Sequence, residues 1–345
     1  MHYVPFDKLV DFGTAFLVKK GVPEDNARYV AETAVKTQAF GVATHGLVLF
    51  SNMNKALGTE IDPKAEPVVV RETSAMAMID GKSCIGPLAV RLAVDLGRTK
   101  ARDLGVGMIG LSNASWIGAL GVYIAPLAEE GLMAEMWAQT STCRDCAPWG
   151  GIDARFSTNP VAFAFPTGGT PMVADFSTAA MSMGKAYGLI REGRKAGERL
   201  FMDKDGNATD DPSVLEEKGT LFHFGGEREG YRGYAMSLWC EALTALAGGH
   251  CNNPENPSRQ SFNLTVVDPE VFVGREAYLA EMQRFVAHLK SSRLRPGFDE
   301  IRLPGERNYR CIEEAKTKGV PVENSRAEQL DRFAAEQGLG SVFNA

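Results

Sequence analysis

The residues best suited to chemistry begin with Thr44, His45 and Gly46, inside GVATHGLVLF at 41–50. A histidine is the usual general acid or base near neutral pH. Five occur in the whole chain, so each position carries information. This one stands just before an expected helix, whose positive dipole end disfavours imidazolium and lowers the pKa. An acid there needs a carboxylate or an anionic substrate beside it to stay charged. Local sequence alone therefore favours a histidine that starts a helix over a catalytic one.

A second group lies mid-chain. PWGG (148–151), STNP (157–160) and DFST (175–178) follow in order between expected strands. The glycines let backbone approach a ligand closely. Asn159 can both donate and accept hydrogen bonds, which suits a carboxamide or a ribose. Asp175 and Thr178 could cap a helix while backbone N–H groups face a phosphate. Each segment alone reads as a strand-to-loop corner; taken together they read equally as a ligand cleft. GYRG (230–233) puts Arg232 at the start of an apolar helix, where a guanidinium could hold phosphate or carboxylate. A surface arginine is the commoner case.

Other motifs are weaker. GVGMIG (105–110) matches G-x-G-x-x-G, but a helix precedes it and a strand contains it, the reverse of a Rossmann loop. Cys143 and Cys146 form a lone C-x-x-C with no second ligand pair, so no metal site is expected. G-x-S-x-G, H-E-x-x-H and G-x-x-x-x-G-K-[ST] are absent, which disfavours serine-hydrolase, zincin and P-loop chemistry.

The elements that must position these residues read as follows. Residues 5–20 and 22–40 carry helical spacing, the second opening on Pro23, Glu24 and Asp25. A third helix begins near His45. PVVV (67–70) and MAMID (76–80) read as strands, with Asp80-Gly81 as a hairpin turn. Pro87 opens a long amphipathic helix, and 105–112 is β-rich. A helix at 119–130 precedes strands at 133–139, 161–166 and 171–177. Residues 195–214 read as a polar surface excursion and 231–247 as helix. NNPENPSRQS (252–261) reads as a linker or lid, and FNLTVVD as a strand. The last 70 residues are helical and charged, apart from an extended EIRLPG at 300–305. The expected organisation is a helical domain from 1–70 plus 255–345, with an α/β domain of 71–254 inserted in it.

The 345 residues, 44% hydrophobic, suffice for a large buried core. A net charge of -6 gives no basic footprint for nucleic acid. No run of about 18 apolar residues exists to span a membrane. The N-terminus lacks the basic and apolar regions of a signal peptide. Six cysteines in a chain this long read as thiols of a reducing compartment, so the expected location is the cytoplasm.

With His45, PWGG, STNP, DFST and GYRG in order, the chain resembles the malate/L-lactate dehydrogenase-like family of NAD(P)-dependent oxidoreductases. This non-Rossmann group includes ureidoglycolate and sulfolactate dehydrogenases, diketogulonate reductase and cyclic imino-acid reductases. The resemblance runs from residue 5 to about 310. It implies an α/β fold whose central, largely antiparallel sheet binds NAD or NADP, flanked by helices from both chain ends, in a homodimer. It implies that His45 gives and takes the proton, with Thr44 orienting it or the substrate. Pro148, Trp149, Gly150, Asn159, Asp175, Ser177, Thr178, Arg232 and Gly233 would line the cofactor cleft. Pro304, Gly305 and Glu306 match the family's late cofactor-contacting turn.

Three departures stand out. Leu49 replaces a family arginine that clamps the substrate carboxylate. Trp116, with Ile117 and Gly118, replaces a family histidine. Arg232 replaces a lysine, keeping charge but not shape. A buried carboxylate without its bidentate partner loses charge-assisted bonds of about 1.5–3 kcal/mol each. Either another cation such as Arg144 or Arg155 takes over beside Leu49 and Trp116, or the substrate is not a simple 2-oxo acid. The expected activity is hydride transfer between nicotinamide and a C=O carbon. The alternatives are reduction of a cyclic C=N group and a dinucleotide-binding protein with impaired catalysis.

Overall fold

The computed structural model describes residues 1–252, 255 and 259–343. The chain opens with β1 (His2–Val4), α1 (Phe6–Lys19), α2 (Glu24–Ala39) and α3 (Val48–Ala56). Then come β2 (Val68–Glu72), β3 (Met76–Asp80), α4 (Gly86–Leu104), β4 (Val106–Ala114), α5 (Gly121–Glu129), β5 (Met133–Thr140), β6 (Pro160–Phe165) and β7 (Met172–Ser177). Next are α6 (Met183–Arg191), β8 (Phe201–Met202), β9 (Ala208–Thr209), β10 (Thr220–Leu221), α7 (Gly226–Glu229) and α8 (Tyr231–Leu246). The chain finishes with β11 (Gln260–Val267), α9 (Arg275–Lys290), α10 (Glu306–Lys318), β12 (Val320–Val322) and α11 (Asn324–Glu336).

Seven strands form one sheet in the order β2-β3-β4-β11-β5-β6-β7. Only β3 and β4 pair in parallel; the other neighbours are antiparallel. The largely antiparallel sheet that the resemblance implies is thus present. α4 and α5 cover one face and α8 the other. The glycines of GVGMIG allow this close cover, because alternate strand residues point to opposite faces. A Cβ on Gly107 would stand 2.6 Å from the Gly97 carbonyl oxygen of α4. One on Gly110 would stand 3.0 Å from Ala247 at the end of α8. The motif is a packing device in β4, with no nucleotide-loop geometry.

Helices from both chain ends build a second core, with Phe16, Leu17, Phe50 and Met53 packed against Leu330 and Ala334. β1 pairs with β12 and ties the two ends together. A third cluster holds Phe201 and Leu221 against Phe156.

Several expectations need correction. The hairpin turn lies at 73–75, closed by Thr73 N donating to the Met76 carbonyl at 2.8 Å. Asp80 instead accepts the Lys82 N–H at 2.8 Å and the Asn113 amide at 3.1 Å, and Gly81 leads β3 toward α4. The third helix begins at Val48, leaving His45 in the turn before it. The stretch at 195–214 is more than a surface excursion, since β8 within it pairs with both β9 and β10 and buries Phe201 completely. The border at 255 cuts off β11, which is the middle strand of the sheet, and the border at 71 cuts through β2. Residues 253, 254 and 256–258 of the expected linker or lid lie outside the described residues.

Candidate active site

One end of the sheet gathers most of the motifs. Ala114 at the end of β4 is level with Gln260, which is level with Thr140 at the end of β5. Pro160 opening β6 is level with Ser177 closing β7. The turn carrying Trp116, the STNP corner and the DFST corner therefore share this end. Distant residues clamp the Trp116 turn. Ile117 N donates to Gln260 Oε1 at 2.6 Å, and the Tyr123 hydroxyl donates to the Ile117 carbonyl at 2.6 Å.

His45 comes from the helical layer and stacks on the Trp116 indole, with centroids 5.5 Å apart and planes 19° apart. Thr44 Oγ1 lies 2.9 Å from His45 Nδ1, which leaves Nε2 as the ring nitrogen for a reactant. Burial holds the imidazole below its usual pKa. Gly46 makes this turn possible, because a Cβ there would sit 2.8 Å from the Gln38 backbone. Gln38 also accepts the Leu47 N–H at 3.3 Å and donates to the Pro321 carbonyl at 2.9 Å. Neither Gln38 nor Gln260 carried a signal in the sequence, since their partners belong to distant elements.

Missing side chains shape the space beside His45. Gly118 adopts φ +81, and a Cβ there would come within 3.8 Å of the indole. A Cβ on Gly184, in the first turn of α6, would press on Thr44 at 3.2 Å. Asp175 Oδ2 accepts the Gly121 N–H at 2.8 Å and so caps α5 from β7. Asp175 as a residue is exposed. The surrounding protein still raises its pKa, against the lowering pull of the Gly121 and Leu120 N–H groups.

PWGG and GYRG meet through one ring contact. Trp149 and Tyr231 pack edge to face at 6.0 Å. Behind Trp149 and Gly150 lies a cavity of about 370 Å³ that also exposes His223 and Glu227. His223 is 3% exposed. Burial pushes its pKa down, with the Ala147 and Thr178 carbonyls opposing.

Other expected site residues have different duties. Leu49 is 2% exposed and packs in the helical core. Asn159 is wholly buried: its amide donates to Ser237 Oγ and Glu241 Oε1, each at 2.9 Å, and accepts from Ser157 Oγ. With both ends used, its side chain holds the corner to α8 and is not free for a carboxamide. Thr178 is likewise buried and donates to the Thr158 carbonyl at 3.1 Å, while Ser177 Oγ donates to the Ala179 carbonyl at 3.2 Å. Arg232 is exposed and pairs with Glu229 at 2.9 Å. Gly233 is indispensable where α8 crosses the loop, because a Cβ would meet Phe224 N at 2.4 Å.

Pro304 accepts the Val173 N–H at 3.2 Å, so the PGE turn docks on β7 away from its Ser177 end. Glu306 accepts the Leu303 N–H at 3.0 Å, which closes the PGE turn, and pairs with Lys290. Arg155 pairs with Asp153 at 2.9 Å, and Arg144 is exposed. Cys143 is exposed and Cys146 buried, both as free thiols. Asp145 between them is raised to about 6 by burial, against the Thr158 N–H. Among the described residues, no helix is long and apolar enough to cross a membrane.

A malate/L-lactate dehydrogenase family model matches residues 4–331. The malate dehydrogenase of Pyrococcus horikoshii is 30% identical over 97% of this chain and 96% of its own. The Delta(1)-pyrroline-2-carboxylate/Delta(1)-piperideine-2-carboxylate reductase of Pseudomonas putida is 30% identical over 95% of each chain. The solved sulfolactate dehydrogenase from Methanocaldococcus jannaschii superposes with a TM-score of 0.87, at 29% identity over 98% of each chain.

Proposed function

Because the chain belongs to the malate/L-lactate dehydrogenase family and is an oxidoreductase of that family, we propose that His45 is its proton donor and acceptor. The substrate class we assign is a 2-oxo acid and the matching 2-hydroxy acid. The observation that carries this reading is the fixed imidazole. Thr44 engages Nδ1, Trp116 fixes the ring plane, and Gln38 holds the turn.

A nicotinamide dinucleotide, when bound, supplies or takes up the hydride. The glycine-built hollow fits such a group, because Cβ atoms on Gly118 and Gly184 would fill space against Trp116 and Thr44. The residues that would hold it are the backbone at 118–121, Asp175, Trp149, Gly150 and Arg232, with the PGE turn toward its far end. His45 moves the proton at Nε2 to or from the substrate heteroatom. Trp116 and Thr44 keep the ring oriented throughout, and positioning of this kind accounts for much of an enzyme's rate. The resemblance to a pyrroline/piperideine-carboxylate reductase adds cyclic C=N acids to the substrates to be tried.

A homodimer is part of this proposal. Leu238, Trp239 and Leu246 project from α8 at 46%, 55% and 63% exposure, an apolar stripe that a second copy would cover. The six free cysteines fit a cytoplasmic setting.

The test is turnover of 2-oxo acids and cyclic imino acids with NADH and NADPH, in wild type and His45→Ala. The variant should lose about 10²-fold or more in kcat while cofactor affinity stays. Near-normal turnover removes His45 from the mechanism.

A further inference from the structure

Another cavity, of about 430 Å³, opens where α2, α4 and α5 meet. That size falls within the range of small-molecule sites, roughly 300–1,000 Å³. Its walls come from both main cores. Tyr29 of α2 packs on the helical core, while Val94, Val122 and Tyr123 belong to the sheet core. Phe6 and Pro126 add further apolar surface. Most charges that line it are matched: Glu32 by Arg28 at 3.1 Å, and Asp95 and Arg98 by each other at 2.7 Å. Lys36 and Arg91 are left over. Both are half-buried, and among the described residues neither makes an ion pair. The Arg91 guanidinium lies over the Tyr29 ring, 4.7 Å from its centroid, and donates to the neutral Asn26 amide oxygen at 3.1 Å. A half-buried cation costs free energy unless it is paired, and a guanidinium held this way suits a planar carboxylate.

The cavity touches the supports of His45 from two directions. Tyr123 is one of its walls, and the same residue's hydroxyl donates to the Ile117 carbonyl at 2.6 Å, holding the turn that carries Trp116. Lys36 stands in the last turn of α2, just before Gln38, which holds the His45 turn. Anything lodged between α2 and α5 therefore bears on both halves of the His45–Trp116 stack. The cavity lies on the side of the sheet that α4 and α5 cover, opposite α8 and its apolar stripe.

We propose that this cavity is a regulatory site for a small carboxylate with an aromatic body. The carboxylate meets Arg91 and Lys36, and the ring packs among Tyr29, Tyr123 and Pro126. A ligand shifts a protein toward the state that holds it best. Bound here, it favours the arrangement in which the cavity exists, with His45 stacked on Trp116, so it activates. The binding stands on the cavity alone; the activation rests on the reading of His45 as proton donor and acceptor.

The test uses benzoate as the probe, titrated calorimetrically into the full chain. It should bind wild type with a dissociation constant of about 1 mM or tighter. Benzamide, its neutral isostere, and the variant Arg91→Gln should each weaken binding about tenfold, the size of one charge-assisted contact. Arg91→Lys should keep part of the affinity. No binding to wild type overturns the proposal. Equal binding to wild type and Arg91→Gln overturns it too, by assigning benzoate to another pocket. The second readout is kcat at saturating substrate, which removes competition in the hollow beside His45. Benzoate should raise it about fivefold or more in wild type, the low end of ordinary coupling between sites, and leave Arg91→Gln unmoved. Without benzoate the two should turn over alike. Arg91-dependent binding with no rise in kcat overturns the regulatory role. If no 2-oxo or cyclic imino acid turns over, the reading of the reaction fails separately, and the calorimetric comparison still decides the site.

Discussion

His45 is held ready by neighbours on three different elements, and its environment predicts its pH behaviour. Burial favours the neutral imidazole, so the folded pKa lies below the ordinary value of about 6.5. Oxidation of a hydroxy acid needs the neutral ring as base. Its kcat/KM should rise with pH through the lowered pKa and level off near neutrality. Reduction needs imidazolium, so its kcat/KM should fall over the same range. The linked stability has a definite sign: the contribution of His45 is complete above about 6.5 and is lost as pH falls through the folded pKa. Paired pH–rate profiles check this, and His45→Gln should abolish both limbs. At this scale the sequence offered Thr44 and His45 as candidates, by residue type and motif order. The duties of Asn159 and Thr178 were not legible. Their donors and acceptors suit a ligand equally well on paper, and only the fold shows them already engaged with Ser237, Glu241 and Thr158.

Among the elements, helix and strand identities followed from periodicity and punctuation, as with Pro87 near the start of α4 and the alternation along β6. The turn at 73–75 escaped notice because Asp80-Gly81 has the stronger hairpin composition. The parallel pairing of β3 with β4 demands the long α4 crossover instead. The G-x-G-x-x-G stretch illustrates the same limit. Its glycines serve helix-to-sheet contact, so Gly107→Ala should push α4 off β4 and lower stability by about 1–3 kcal/mol. Denaturant unfolding measures this; an unchanged midpoint would show that the contact is easily relaxed. Gly233 belongs to the same class of constraint, with backbone on two sides of its missing Cβ.

For the whole molecule, the exposed stripe of Leu238, Trp239 and Leu246 on α8 predicts association. Trp239→Asp combined with Leu246→Asp should turn the proposed dimer into a monomer, read by sedimentation. A wild type that sediments as a monomer would leave the stripe without this explanation. The family, the sheet-and-helix composition and the leading catalytic candidate were set by the sequence alone, because residue order and hydrophobic period are local properties. Tertiary structure decided what depends on long-range pairing. It threaded β11 into the middle of the sheet, brought Trp116 onto His45 through Gln260, and buried Leu49. The physical reason is the same in each case: a side chain's partners are fixed by register and packing, and those form only when distant segments meet.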